Sequence, residues 1–388
     1  MNSMDLSYII NHLGEERENY FNAVSPPVIQ TSNFCFNSVA KLRESIPHEM
    51  EVPFYTRGAN PTVSILRKKL AALEGTQDCL VFGSGVAAIS AAVVNSVSAG
   101  DHVILVNNPY GWTDHLLNVL LKKFDVSCTM VDGRAVANFE RNVQHNTRLI
   151  VLESPTSMMF DLQDVEAVCQ FAKSKNIRTI IDSSYASPLN MQPYKMGVDI
   201  VVHTASKYFG GHSDVVGGVL CSNNTIIKSI FQNEFMTFGG IMSPHDAFLV
   251  IRSLRTLPLR MERIARSAKQ VIEFLAKHEK VEKVLAPLHS SHPQFQLAQK
   301  QFSNPGGIFS VLLKLDGNLI EKFVDSLDRF LLACSWGGHE SLVFPAIAML
   351  GIDDHPELKV PPNLVRFYIG LEDPEVLIED IGQAFNKV

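Results

Sequence analysis

From Leu80 to Gly218 the chain alternates short β-branched runs with stretches of helical spacing. The runs are Val103–Val106, Leu149–Leu152, Thr179–Asp182, Ile200–His203 and Val215–Leu220. Most are apolar at successive positions and not at every second one, the pattern of strands covered on both faces. Alternation of such strands with helices predicts a mainly parallel sheet with helices on both sides. Between two of the runs, Asp164–Asn176 starts acidic and ends basic, which complements a helix dipole and predicts a covering helix. Another helix is expected over Val63–Leu73. After Pro244 a long helical stretch is predicted to about His278, with Arg252, Arg255, Arg260 and Arg263 read as a solvated or salt-bridged face. Strands at Gly307–Leu313 and Leu364–Ile369, a helix near Leu319–Phe330 and a closing helix from Pro374 then predict a smaller α/β domain. The first fifty or so residues are rich in Pro, Asn and Phe and poorly periodic, so they read as an arm lying on another surface, such as a neighbouring subunit. The expected organisation is an arm over 1–57, a large domain over 58–250 and a small C-terminal domain over 251–388.

Composition narrows the classes of function. With 388 residues, 46% hydrophobic and 19% charged, the chain is long and apolar enough for a large core in two or three domains. A net charge of -6 without basic runs removes the electrostatic footprint that nucleic acid or an anionic membrane requires. Small anions remain possible ligands. Cys35, Cys79, Cys128, Cys169, Cys221 and Cys334 are widely spaced and form no CxxC pair. Neither a disulfide framework nor a zinc site is suggested, no metal is expected, and the cysteines read as reduced, mostly buried thiols of a cytoplasmic protein. The N-terminus lacks the basic and apolar regions of a signal peptide. The longest apolar stretch, Val81 to Val97, is interrupted by Gly83, Ser84, Gly85, Ser90, Asn95 and Ser96, so no membrane span is expected.

The candidate chemistry lies at strand ends. Asp182 closes one apolar run, and Lys207 follows the next in Val201-Val-His-Thr-Ala-Ser-Lys207. An amine and a carboxylate so placed suit pyridoxal phosphate: the amine condenses with the aldehyde, and the carboxylate keeps the ring nitrogen protonated. Thr204 and Ser206 would offer hydroxyls to the phosphate. Taken alone, Lys207 reads first as a snorkelling surface lysine and Asp182 as a helix cap; the rest of the chain reverses that order. Phe82-Gly-Ser-Gly85-Val86-Ala-Ala-Ile89 follows an apolar run and opens a helix, a placement suited to phosphate. It also matches a dinucleotide fingerprint, but the next strand ends in Asn107-Asn108, where a ribose-binding acid would be expected. Tyr55 and Arg57, two residues apart, would hold phosphate oxygens together, or form a loop salt bridge. Tyr110, in the turn Asn108-Pro-Tyr110-Gly-Trp112, would stack on a pyridine ring, or be a half-buried loop tyrosine. Arg366 falls within an apolar strand and needs an anion, either a substrate carboxylate or a buried acidic partner.

The chain resembles the Cys/Met-metabolism family of pyridoxal phosphate (PLP) enzymes, the trans-sulfuration group. The resemblance is carried by Tyr55–Thr62, Ser84–Ile89, Tyr110–Thr113, Glu153–Thr156, Ile181-Asp182, Gly197–Gly218, Leu254–Glu262, Ser335–Ser341 and Val365–Asp373. It implies a fold-type I PLP-dependent transferase fold, α/β, with a large mainly parallel sheet domain and a smaller C-terminal α/β domain. It implies Lys207 as the lysine bound to the cofactor, Asp182 at the ring nitrogen and Tyr110 on the ring. Gly85 and Val86 backbone, Thr204, Ser206 and Ser184 would hold the cofactor, together with Tyr55 and Arg57 from a neighbouring subunit. Arg366 and Ser335 would hold the substrate carboxylate, with Glu153 and Ser157 lining the substrate. The implied assembly is a homotetramer of two dimers acting on a small amino acid.

Departures from the family pattern bear on the reaction. Ser157 and Met158 stand where Asn-Pro is usual, and Trp336 follows Ser335; both look like bacterial cystathionine beta-lyases. Tyr55–Thr62 looks like the gamma-acting branch. Cys334 stands where some gamma-acting members carry Glu, Trp112 where methionine gamma-lyases carry a cysteine, and Asp114-His115 where cystathionine users often carry a basic residue. The expected activity is a carbon–sulfur lyase releasing a thiol, ammonia and a keto acid, with gamma-replacement by a synthase as the alternative.

Overall fold

The computed structural model describes residues 5–349 and 360–388; residues 1–4 of the expected arm and 350–359 of the expected small domain lie outside them. Seven strands form the larger sheet: β1 (Asp78–Phe82), β2 (His102–Val106), β3 (Ser127–Val131), β4 (Thr147–Glu153), β5 (Arg178–Asp182), β6 (Ile200–Thr204) and β7 (Gly218–Ser222). Their order is β1-β7-β6-β5-β4-β2-β3. Only β7 runs against the others, pairing antiparallel with β1 and β6. Successive side chains of each strand feed different cores. Ile104, Ile150, Leu152, Ile181 and Val201 pack on one face, and Val103, Leu105, Leu149, Val151 and Ile180 on the other. Two-sided burial is why these runs are apolar throughout.

A second sheet follows: β8 (Val281–Leu285), β9 (Ile308–Leu313), β10 (Leu331–Leu332), β11 (Leu342–Pro345) and β12 (Leu364–Tyr368), ordered β10-β11-β12-β9-β8. It is antiparallel except for β10 with β11. Helices Leu257–Lys277 and Pro374–Phe385 cover it around Phe309, Phe323, Phe367 and Phe385.

The covering helix is Val165–Ser174, with Asp164 accepting from the Ala167 amide as its N-cap. The stretch after Pro244 is two helices and not one, Pro244–Leu254 and Leu257–Lys277. Pro258 sits in the first turn of the second, where its missing amide costs nothing, whereas inside a continuous helix it would break the ladder. Of the arginines expected on a solvated or salt-bridged face, Arg255 is salt-bridged to the buried Glu15, whereas Arg260 is only 5% exposed. The run expected to start at Val215 enters the sheet only at Gly218. Gly217 turns back instead, accepting from the Ala205 amide and donating to Ser206 Oγ. Helix Gly317–Asp325 begins and ends earlier than its periodicity suggests. Of the thiols expected to be mostly buried, Cys79, Cys169 and Cys221 are buried, Cys128 is half-buried, and Cys35 and Cys334 are exposed. Part of the N-terminal segment lies on its own chain. Buried Lys69 donates to the Ile9 and Ile10 carbonyls and pairs with Glu15 at 3.0 Å.

Candidate active site

The carboxyl ends of β1, β4, β5 and β6 converge, the edge where α/β sheets present their ligand-binding groups. Glu153 and Asp182 are the last residues of β4 and β5 and stand side by side in register. Asp182 Oδ1 accepts from Ser184 twice, from its amide at 2.9 Å and its hydroxyl at 2.6 Å. The same hydroxyl accepts from the Thr204 amide at 2.8 Å, tying β6 to the Asp182 turn. Glu153 accepts from the Tyr110 amide at 2.6 Å and from Ser157 Oγ at 2.7 Å. Burial, reinforced by the neighbouring Asp182, raises the Glu153 carboxyl well above the usual range.

β1 leads through Ser84, whose hydroxyl caps the Ala87 amide, into helix Gly85–Ser96. The first amides of a helix have no partner within it. Those of Gly85 and Val86 open this one, beside the hydroxyls of Thr204 and Ser206, which lie 3.3 Å apart. A Cβ on Gly85 would come within 2.8 Å of the Thr204 Cβ, so only glycine lets helix and hydroxyls meet this closely. Two helix-start amides and two hydroxyls form a donor set that fits a phosphate. Asp182 and Tyr110 provide a carboxylate and an aromatic face for an attached ring. The residues present therefore fit a phosphorylated pyridine.

Lys207 follows this cradle on a tight turn. Its Nζ donates to Ser335 Oγ and lies 5.6 Å from the centre of the Trp336 ring. Burial, then the Arg366 charge, lowers the amine to about 8. Arg366, on β12, donates through Nη2 to the Ser335 carbonyl at 3.1 Å and stacks on Phe344 at 5.2 Å. Among the described residues it has no carboxylate partner. Burial depresses its guanidinium to about 10. Ser335 holds a left-handed φ of 74°, and Gly337 packs so closely that a Cβ there would lie 2.7 Å from Lys207 Cα. Exposed Cys334 precedes this serine. Tyr110 is half-exposed, and burial, with Asp182 and Glu153, raises its phenol above the ordinary value.

Lys207, Asp182, Ser184, Glu153, Ser157, Tyr110, Gly85, Val86, Thr204, Ser206, Ser335 and Arg366 thus lie on these converging strand ends and the loop that covers them. Tyr55 and Arg57 differ. Arg57 stacks on Tyr55 at 5.3 Å in an exposed segment bridged to Asn33, and no hydrogen bond among the described residues joins either to the cradle. Two contributors escaped the sequence reading. Trp336 was noted as a family mark, without its place over the Lys207 amine. Arg260 reads in the sequence as part of a solvated or salt-bridged face, although it shares a stripe with Leu257, Met261 and Ile264, all buried.

The family model described as Cys/Met metabolism PLP-dependent enzyme matches residues 8–386. The chain is 36% identical over 377 residues to L-methionine gamma-lyase of Porphyromonas gingivalis, covering 96% of this chain and 94% of the relative. It is 36% identical to cystathionine beta-lyase of Lactococcus lactis, covering 97% of each. With cystathionine gamma-synthase of Mycobacterium bovis the identity is 34%, covering 96% and 95%. The crystal structure of metB from Corynebacterium glutamicum superposes with a TM-score of 0.93 at 34% identity, covering 99% of this chain and 98% of that one. No helix among the described residues is long and apolar enough to cross a membrane. A match of this extent, on a site whose donors suit a phosphorylated pyridine, makes the chain a PLP-dependent trans-sulfuration enzyme that belongs to the Cys/Met metabolism family.

Proposed function

We propose that the chain is a carbon–sulfur lyase acting on a sulfur amino acid and releasing a thiol, ammonia and a keto acid. The observation that carries this reading is the bridge made by Ser335: its hydroxyl accepts from Lys207 Nζ and its carbonyl from Arg366. A substrate carboxylate on Arg366 would bring the adjoining Cα within reach of the lysine.

Pyridoxal phosphate supplies an aldehyde that condenses with amines and a protonated ring that takes up the electron pair left at Cα. The Gly85 and Val86 amides and the Thr204 and Ser206 hydroxyls hold the phosphate. Tyr55 and Arg57 of a neighbouring subunit complete that grip, the arm over 1–57 reaching across in a homotetramer. Asp182, oriented by Ser184, holds the proton on the ring nitrogen, and Tyr110 covers the ring. Arg366 fixes the substrate carboxylate, and Glu153 and Ser157 border the substrate. The Lys207 amine, free of the cofactor, would take the Cα proton. Tyr110, kept protonated by its raised phenol, or Lys207 itself, delivers a proton to the departing sulfur. The setting proposed is the cytoplasm.

The kinship with cystathionine gamma-synthase of Mycobacterium bovis favours one second reading, replacement at Cγ by a thiol. Identification by mass spectrometry of the keto acid released from L-cystathionine separates the outcomes. Pyruvate means beta-elimination and 2-oxobutyrate gamma-elimination. Release of neither, with product formed only from an activated homoserine and a thiol, overturns the lyase reading.

The lowered amine gives a pH prediction. Condensation requires neutral lysine, and an amine titrating at about 8 is neutral above that pH. Uptake of PLP by the cofactor-free protein should therefore quicken about tenfold per pH unit on the acid side and level off on the alkaline side. Stopped-flow absorbance measures this. A rate still climbing tenfold per unit beyond about pH 9.5 would return Lys207 to the behaviour of an ordinary lysine.

A further inference from the structure

Arg260 is a buried cation that the proposed reaction does not use. Its side chain spends its donors on neutral oxygens: Nη1 on the Tyr208 carbonyl at 2.8 Å, Nη2 on the Ser253 carbonyl at 3.1 Å and hydroxyl at 2.9 Å, and Nε on Thr256 Oγ1 at 3.2 Å. Among the described residues no carboxylate pairs with it. The titratable groups that face it are the Tyr368 phenol, from β12, and His212, reached through Ser253. Burying a cation without a counter-charge is costly, and an apolar side chain could fill the same stripe of helix Leu257–Lys277.

What the guanidinium holds is the turn that carries Lys207. Tyr208 follows the lysine directly. Ser253, itself held by Arg260, donates to the Gly210 carbonyl. Within the turn, the Gly210 amide donates to Ala205 and the Gly211 amide to the Lys207 carbonyl, both at 2.7 Å. Gly211 has a φ of +65°, and a Cβ there would lie 2.1 Å from Arg260 Nη1, so the turn is shaped around the guanidinium. The Tyr208 hydroxyl accepts from the Gly307 amide at 2.7 Å, tying the turn to the smaller sheet. Gly337 closes against Lys207 from the site side.

We infer that Arg260 is a positioning residue for Lys207: its fork on the Tyr208 and Ser253 oxygens fixes the 205–211 turn so that the amine meets Ser335. The inference rests on Lys207 being the reacting amine. Lys207 itself is faced by Arg366, Cys334 and Asp182, none of which touches Arg260.

The test uses the full chain with Arg260→Ala, Arg260→Lys and Gly211→Ala. Lys207 acylation by acetic anhydride is followed against pH on the Lys207 peptide of cofactor-free protein, and kcat and KM on the loaded enzyme. Loosening the turn admits water to the amine. Arg260→Ala and Gly211→Ala should raise the acylation midpoint by about one pH unit and lower kcat about 100-fold, with KM changed by less than about threefold. Arg260→Lys should recover at least about tenfold of the lost kcat, because it restores a donor to one of the carbonyls. An unchanged midpoint and kcat in folded Gly211→Ala and Arg260→Ala, with only the melting temperature lowered, would reduce Arg260 to a packing residue. Failure of the underlying lysine assignment looks different: Lys207→Ala would keep turnover, whatever the Arg260 variants do to the midpoint.

Discussion

Lys207→Ala should lower turnover by about 10⁴-fold, the upper end of what one positioned acid–base group contributes. On the roles proposed for Lys207, two functions would be lost together, the amine that anchors the cofactor and the base that takes the Cα proton. The half-buried amine is held by Ser335, under Trp336 and close to Arg366, in surroundings that lower it to about 8. A surface lysine has none of these neighbours. The fold should survive, since the turn is held through backbone groups of Tyr208, Gly210 and Gly211. Steady-state kinetics alongside a thermal melt checks both statements, and turnover within tenfold of the parent enzyme would contradict the lysine's role.

Arg366→Ala should remove about 2–5 kcal/mol of substrate interaction, a loss of roughly 30- to 5,000-fold in kcat/KM. Most of that loss should fall on KM, because the carboxylate contact proposed for Arg366 would be the same in the ground state and the transition state. Arg366→Lys should recover only part of it, since an ammonium lacks the planar fork that grips a carboxylate by both oxygens. Stability supplies the discriminating sign. Arg366 has no carboxylate partner among the described residues, and burial already lowers its guanidinium to about 10. Arg366→Met, which keeps bulk against Phe344 and Met158, should therefore leave the melting temperature unchanged or raise it. A large fall would instead mark a structural cation.

Much of this site was legible because its parts sit where strands end. Continuous apolar runs locate β2, β4, β5 and β6, and Asp182, Glu153 and Lys207 stand at or just past their carboxyl ends. β1 and β3 were less legible. β3, Ser-Cys-Thr-Met-Val, is an edge strand with only Val131 buried, so it carries little apolar signal. The break between helices Pro244–Leu254 and Leu257–Lys277 was available in Pro258, but the continuous helical spacing on either side masked it.

Arg260 was misread for a related reason. Charge suggested solvent, whereas its spacing of three from Leu257 and four from Ile264 put it on the buried stripe. The bridge from Lys207 through Ser335 to Arg366 is a tertiary fact with no sequence trace, since it joins residues 128 and 31 positions apart. Family resemblance supplied their roles in the sequence reading; spacing alone supplied only candidates.

The proposed bond between Lys207 and pyridoxal phosphate is central to this chemistry. Borohydride reduction of the loaded protein, followed by digestion and peptide mass spectrometry, tests it without relying on any substrate. The predicted result is a single pyridoxyl-phosphate mass on the peptide containing Lys207, absent from Lys207→Ala. A label on another lysine, or no label on a protein that still turns over substrate, would contradict it.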